Sequence, residues 1–133
     1  MELQVGVKIF IKNREGKYLL VRRSPEKYPE VGATWDIVGG RIDPGTTLLE
    51  NLAREVKEET GLEIVGEPKL IAAQDILRIP EKHIVRLTYA GSAKGEVKLG
   101  DEHTEHAWHT IKEMKEMPNL DKYVRELLEK GIL

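Results

Sequence analysis

Apolar and polar positions alternate along Leu3 to Ile11, where V-G-V-K-I-F-I reads as a strand. Asn13 to Lys17 turns around Gly16, and Tyr18 to Val21 continues as a second strand ending at Arg22 and Arg23, so the pair predicts a hairpin. Ser24 to Thr34, with two prolines and a glycine, predicts a loop. Apolar residues then recur at helical spacing through Leu48, Leu49, Leu52, Ala53 and Val56. This predicts a helix over 47–60, opened by a capping box at Thr47 to Glu50 and closed by Gly61. Further strands are expected over Leu62 to Val65, Leu70 to Leu77, Ile84 to Ala90, Glu96 to Leu99 and His106 to Thr110. Loops are expected at Gly91 to Gly95 and Gly100 to Glu105, a short helix at Ile111 to Met117, and an amphipathic helix at Leu120 to Lys130 with Tyr123, Val124, Leu127 and Leu128 inward. Strands mixed with helices at separated places indicate an α/β fold, an α/β/α sandwich on a mixed β-sheet.

Length and composition narrow the function. The chain has 133 residues, with no linker or repeat dividing it, which predicts a single domain over 1–133. With 21 Lys plus Arg against 23 Asp plus Glu, the net charge of -2 gives no global attraction to nucleic acid polymers or an anionic membrane. There is no cysteine, which removes disulfides, thiolate metal sites and cysteine nucleophiles. No long apolar span or leader pattern is evident, and cytoplasmic residence is the default expectation. A homodimer is left open.

The chemistry concentrates on the central helix. Glu55, Glu58 and Glu59 stand at i, i+3 and i+4 just before Gly61. At ~100° per residue they fall within about one third of the helix circumference and converge on one small volume. Like charges at that spacing, in a turn where the macrodipole disfavours them, are poor for helix stability alone. Hard oxygen donors without sulfur favour Mg2+, with Mn2+ as a substitute, and magnesium commonly shares its coordination with substrate phosphates. Upstream, Trp35 to Gly45 runs from a short apolar stretch through paired Gly39 and Gly40 into a Pro-Gly turn, a strand-loop-helix unit in which glycines let backbone approach a ligand.

Gly40 to Leu62 together resembles the Nudix box, G-x5-E-x7-R-E-U-x-E-E-x-G-U with U a bulky aliphatic residue. Gly40, Arg54, Glu55, Val56, Glu58, Glu59, Gly61 and Leu62 match in register. The first glutamate of the pattern is Thr46 here, and the usual Pro-Gly-Gly is Val38-Gly39-Gly40. The resemblance implies a Nudix-type sandwich and a pyrophosphohydrolase attacking a nucleoside diphosphate linked to another group. A nucleoside triphosphate or modified nucleotide is the expected small-molecule substrate; ADP-ribose or nucleotide-sugar hydrolysis, or a non-hydrolytic nucleotide-binding module, are the alternatives.

It also implies roles. Glu55, Glu58 and Glu59 become metal ligands with the Gly40 carbonyl, and Arg54 orients Glu55. The missing glutamate would ordinarily brace Arg54, leaving Asp43 or Glu50 as substitute partners. Glu102, in the acidic run before Trp108, matches a glutamate that returns to the metals in many such proteins, against the plainer reading of a solvated loop. The spacing leaves the general base open among these carboxylates. Read from the residues themselves, Arg22 and Arg23 are candidates for terminal phosphates, with Arg23 taken as substrate-binding against the plainer use of strand-end arginines as exposed charges; Gly39 and Gly40 form the substrate-facing loop, and Trp35 is a candidate for stacking on a base, with core packing the plainer use of that tryptophan.

Overall fold

The computed structural model describes residues 1–27 and 34–133. The loop expected over Ser24 to Thr34 falls in part on residues 28–33, outside the described residues. The elements are β1 (Glu2–Ile11), β2 (Tyr18–Arg23), β3 (Trp35–Asp36), β4 (Val38–Arg41), α1 (Leu48–Thr60), β5 (Glu63–Ile76), β6 (Lys82–Lys94), β7 (His103–His109), α2 (Ile111–Lys115) and α3 (Lys122–Glu129).

They form a four-stranded sheet in the order β4-β1-β6-β5 and a three-stranded sheet in the order β3-β2-β7. β1 runs parallel to β6 while the other pairs are antiparallel, so the larger sheet is mixed, as expected. Alternation along β1 and β2 sends Val7, Ile9, Ile11, Leu19 and Val21 into a core with Leu52 and Val56 of α1. The intervening Phe10, Tyr18 and Leu20 join a second core with Met114 of α2 and Val124, Leu127 and Leu128 of α3. Two strands with both faces buried therefore lie between helices, which is the sandwich the pattern predicted.

The hairpin of β1 with β2 does not form. Both hydrogen-bonding edges of β1 are occupied, by β4 and by β6, and β2 meets it through one isolated bridge from Lys12 to Tyr18 before leaving for the other sheet. The two strands expected over 62–77 are one long strand, β5, which absorbs Gly66 and Pro68 by a register shift between Val65 and Lys69. β6 continues through Gly91 to Lys94 where a loop was expected. Glu96 to Leu99 is not a strand: Lys98 N–H donates to Thr60 O at 2.7 Å and Gly100 N–H to Glu59 O at 3.1 Å. This segment satisfies carbonyls that the end of α1 leaves open, and that is its use.

α1 begins and ends where predicted. Thr47 accepts the Glu50 N–H at 3.2 Å, and Gly61 takes the left-handed conformation at φ 75°. The reciprocal capping box stands at Thr110 and Glu113 of α2 instead. The apolar stripe is narrower than expected, since Leu49 and Ala53 are exposed, and Asn51 and Thr60 are buried in its continuation. Among the described residues, no helix is long and apolar enough to cross a membrane.

Candidate active site

β4 delivers Gly39 and Gly40 to the rim of a cavity of about 630 Å³ that Glu55 and Glu59 enter from α1 and Glu102 from the turn before β7. Glu59 is the most enclosed of the three, at 7% exposure, and accepts the Gly39 N–H at 3.1 Å. Burial pushes its carboxyl up to about 8, with Glu55 and Glu102 adding repulsion against the favourable Lys8 and the Gly39 bond. Burial likewise raises Glu55, partly offset by Arg54. A cation placed beside either carboxyl would favour its ionised form.

The oxygen-only donor set and the space at Gly40 suit a hard divalent ion. A Cβ on Gly40 would meet the Glu55 carboxylate at 2.8 Å, so glycine there makes room for that group. Glu58 departs from its expected place. It is exposed, outside the cavity lining, and pairs with Arg54 at 3.2 Å. An arginine at i−4 offers it opposite charge, whereas a position beside Glu55 would set like charges together. As the side chains stand, among the described residues no three acidic or histidine groups converge closely enough to chelate an ion. Glu55, Glu59 and Glu102 share the cavity, whose lining also includes Asp121.

Arg54 lies outside the cavity and acts from behind it. Its Nη2 donates to Asp43 Oδ2 at 2.9 Å and to Asn51 Oδ1 at 2.9 Å, and stands 3.5 Å from Glu55 Oε1. Asp43, not Glu50, is thus the carboxylate that pairs with Arg54 where the motif glutamate is missing. Buried Asn51 also accepts the Asp43 N–H at 3.0 Å and the Thr46 hydroxyl at 3.2 Å, tying the loop to α1. Because Arg54 already has a carboxylate partner, Thr46→Glu is expected to change turnover less than about threefold, whereas Arg54→Ala lowers it by about tenfold or more. Steady-state rates of both variants check this, and a severe loss in Thr46→Glu with an unchanged melt would assign the threonine its own role.

Arg23, Gly39 and Gly40 line the cavity. Trp35 does not. It packs against the core beneath α2 and α3, and its ring stands edge-on to His109 at 6.5 Å, so the base-stacking assignment is corrected to core packing. The sequence reading missed Lys8, Arg86, Asp121 and Tyr123, which line the same cavity, and Asp36, which connects the cations.

The family model described as NUDIX domain matches residues 2–130. The chain belongs to the NUDIX family. The MutT protein structure from Methanosarcina mazei superposes with a TM-score of 0.86 at 32% identity, covering 97% of this chain and 92% of that one. The NAD-capped RNA hydrolase NudC of Stutzerimonas stutzeri is 34% identical over 116 residues, 86% of this chain and 40% of that protein. Nucleoside triphosphatase NudI of Escherichia coli is 30% identical over 104 residues, 71% of this chain and 73% of that protein. The chain spans about half the length of several curated relatives that it matches.

Proposed function

We propose that this NUDIX domain is a divalent-metal-dependent pyrophosphohydrolase of nucleotides in which a diphosphate links the nucleoside to another group, with a nucleoside triphosphate or modified nucleotide as substrate. The observation that carries this is one cavity holding both Glu55, Glu59 and Glu102 and the cations Lys8, Arg23 and Arg86. An ion coordinated by carboxylates and phosphate oxygens held by cations is the arrangement that a phosphoanhydride requires. NudI, named a nucleoside triphosphatase, supports the substrate class.

Glu55, Glu59 and Glu102 would hold magnesium, which when bound neutralises charge developing on phosphoryl oxygens and acidifies water. The chain's own groups do the rest. The Gly39 N–H fixes Glu59, Arg54 restrains Glu55 from behind, and Arg23 meets phosphate oxygens. Ile76, Ile79, Ile84 and Tyr123 give the same cavity an apolar lobe that suits a nucleobase, the use expected of Trp35.

Glu102 would also be placed to take the proton from attacking water. Glu102→Gln is therefore expected to cut turnover by about 100-fold or more, while Glu105→Gln does far less, because Glu105 pairs with Arg22 at 3.0 Å outside the cavity. Equal small effects would return Glu102 to a solvated loop. The function itself is tested by incubating the chain with magnesium and a panel of nucleoside triphosphates, modified nucleotides, ADP-ribose and nucleotide sugars, and identifying the phosphorylated products. Nucleotide binding with no hydrolysis across the panel would favour the non-hydrolytic module.

A further inference from the structure

Asn51, near the start of α1, is only 1% exposed. Asparagine suits caps and turns, where its side chain bonds local backbone, and it is a poorer helix former than alanine. Helix formation gives no reason for it here, so its contacts must. Both ends of its amide are used. Oδ1 accepts the Asp43 N–H at 3.0 Å and Arg54 Nη2 at 2.9 Å, which fills the two lone pairs of an amide oxygen. The Thr46 hydroxyl approaches the same atom at 3.2 Å and shares its one proton with Asp43 O, the closer partner at 2.6 Å. Nδ2 donates to Arg41 O at 3.3 Å.

Those contacts converge on Glu55. Its carboxylate rests between two surfaces: Gly40, where a Cβ would come within 2.8 Å of it, and Arg54, whose Nη2 stands 3.5 Å from Oε1. Asn51 reaches both, through the carbonyl of Arg41, next to Gly40, and through Nη2 itself. The other partners of Arg54 fix it less well. The Asp43 and Glu58 side chains are 68% and 59% exposed, and ion pairs in solvent hold loosely. Each also draws on the positive charge of Arg54, whereas the neutral amide of Asn51 sets the position of the guanidinium without competing with Glu55 for its charge. A clamp for the turn over 41–46 would need only the two backbone contacts of Asn51. The contact with Arg54 is what a clamp leaves unexplained.

We propose that Asn51 is a positioning residue for the hydrolysis. It fixes the guanidinium of Arg54 and the strand end at Gly40 relative to each other, and so holds the Glu55 carboxylate in the cavity where the divalent ion and the diphosphate meet. The role in turnover rests on the pyrophosphohydrolase reading; the fixing of Arg54 does not.

The test joins a double-mutant cycle on kcat to a measurement that needs neither metal nor substrate. Asn51→Ala is expected to lower kcat by about tenfold with KM within about twofold, because Glu55 acts at the reacting centre. In the Arg54→Ala background the same change should cost less than about twofold more, since the group it works through is already gone. In metal-free protein, the heteronuclear NOE of the Arg54 Nε–H should fall in Asn51→Ala to that of an exposed arginine such as Arg14. Asn51→Asp keeps an oxygen for Arg54 but turns a second one toward Arg41 O, so it should recover more of kcat than alanine while still melting below wild type. Should Asn51→Ala not fold, Asn51→Ser takes its place in the cycle, too short to reach Arg54 yet still polar. The proposal is overturned if the two substitutions multiply in kcat, if kcat simply follows the melt through the series, or if the Arg54 Nε–H stays as ordered as in wild type. Loss of that order in a chain that hydrolyses no nucleotide would uphold the positioning and sink the hydrolase reading instead.

Discussion

Glu59→Gln is expected to cut magnesium-dependent turnover by about a thousandfold and, in chelator, to make the protein more stable by a margin that widens with pH. The carboxyl is held at about 8 by burial, against an ordinary value of 4.5. Below that ordinary value Glu59 is protonated in both folded and unfolded chains, and its burial has no ionic cost. As pH rises from there toward 8, the unfolded chain releases a proton that the folded chain retains, so folded stability falls. Above 8 the buried carboxylate is ionised and the penalty is complete.

Glutamine never ionises, and its amide oxygen can still accept the Gly39 N–H. The difference in unfolding free energy between variant and wild type should therefore be small at pH 5 and reach about 2 kcal/mol or more in the variant's favour at pH 9. Saturating magnesium should close the gap from the wild-type side, because an ion bound only by the folded chain stabilises it. Chemical melts at the two pH values, with and without the metal, give the comparison. A variant that is less stable at pH 9 would mean that Lys8 and the Gly39 bond outweigh desolvation, and that Glu59 is an ordinary buried partner rather than a carboxyl waiting for a cation.

The part of the site legible in the sequence was the part carried by local spacing. Glu55 and Glu59 share a face because an α-helix turns 100° per residue, and Thr47 and Gly61 bound that helix by chemistry confined to its own ends. Glu58 obeys the same spacing and still leaves the site, because rotamer choice answers to Arg54, one turn before it. Trp35 shows the same limit in a strand: its position beside the glycine loop was readable, but which face of β3 is buried depends on α2 and α3, far along the chain.

The cations were missed for a related reason. Lys8 lies in V-K-I-F, Asp36 in W-D-I-V and Arg86 in I-V-R-L, each a lone charge inside an apolar strand. Burial of such a charge requires a partner, and charges of opposite sign in separate apolar strands are a signal that they meet. Which strands become neighbours is set by topology. The parallel pairing of β1 with β6 brings Lys8 beside Thr88 in register and Arg86 beside Gly6, and only that pairing puts Arg86 within reach of Asp36, 50 residues away. The expected hairpin of β1 with β2 would have placed β2 at an edge of β1 that β4 or β6 in fact holds, and the meeting of three cations could not have been read from it.

The paired glycines before the box should respond to the same substitution in opposite ways. Gly39 has φ 149°, and a Cβ there would lie 2.0 Å from Val7 O and 2.8 Å from Lys8 Cα, both backbone atoms of the paired strand β1. Backbone cannot yield without breaking the ladder, so Gly39→Ala is expected to destabilise by about 3 kcal/mol or more, with activity lost through the fold. At Gly40 the clash is with the end of the Glu55 side chain at 2.8 Å, which can swing aside. Gly40→Ala should therefore keep a near wild-type melt while displacing Glu55 from the cavity, and a displacement of about 1 Å at a reacting centre costs on the order of 100-fold in rate. Thermal melts and magnesium-dependent turnover on the two variants separate the cases. Wild-type turnover in a folded Gly40→Ala protein would show that Glu55 does not act from the position it holds here, and would shift the metal-binding role to Glu59 and Glu102.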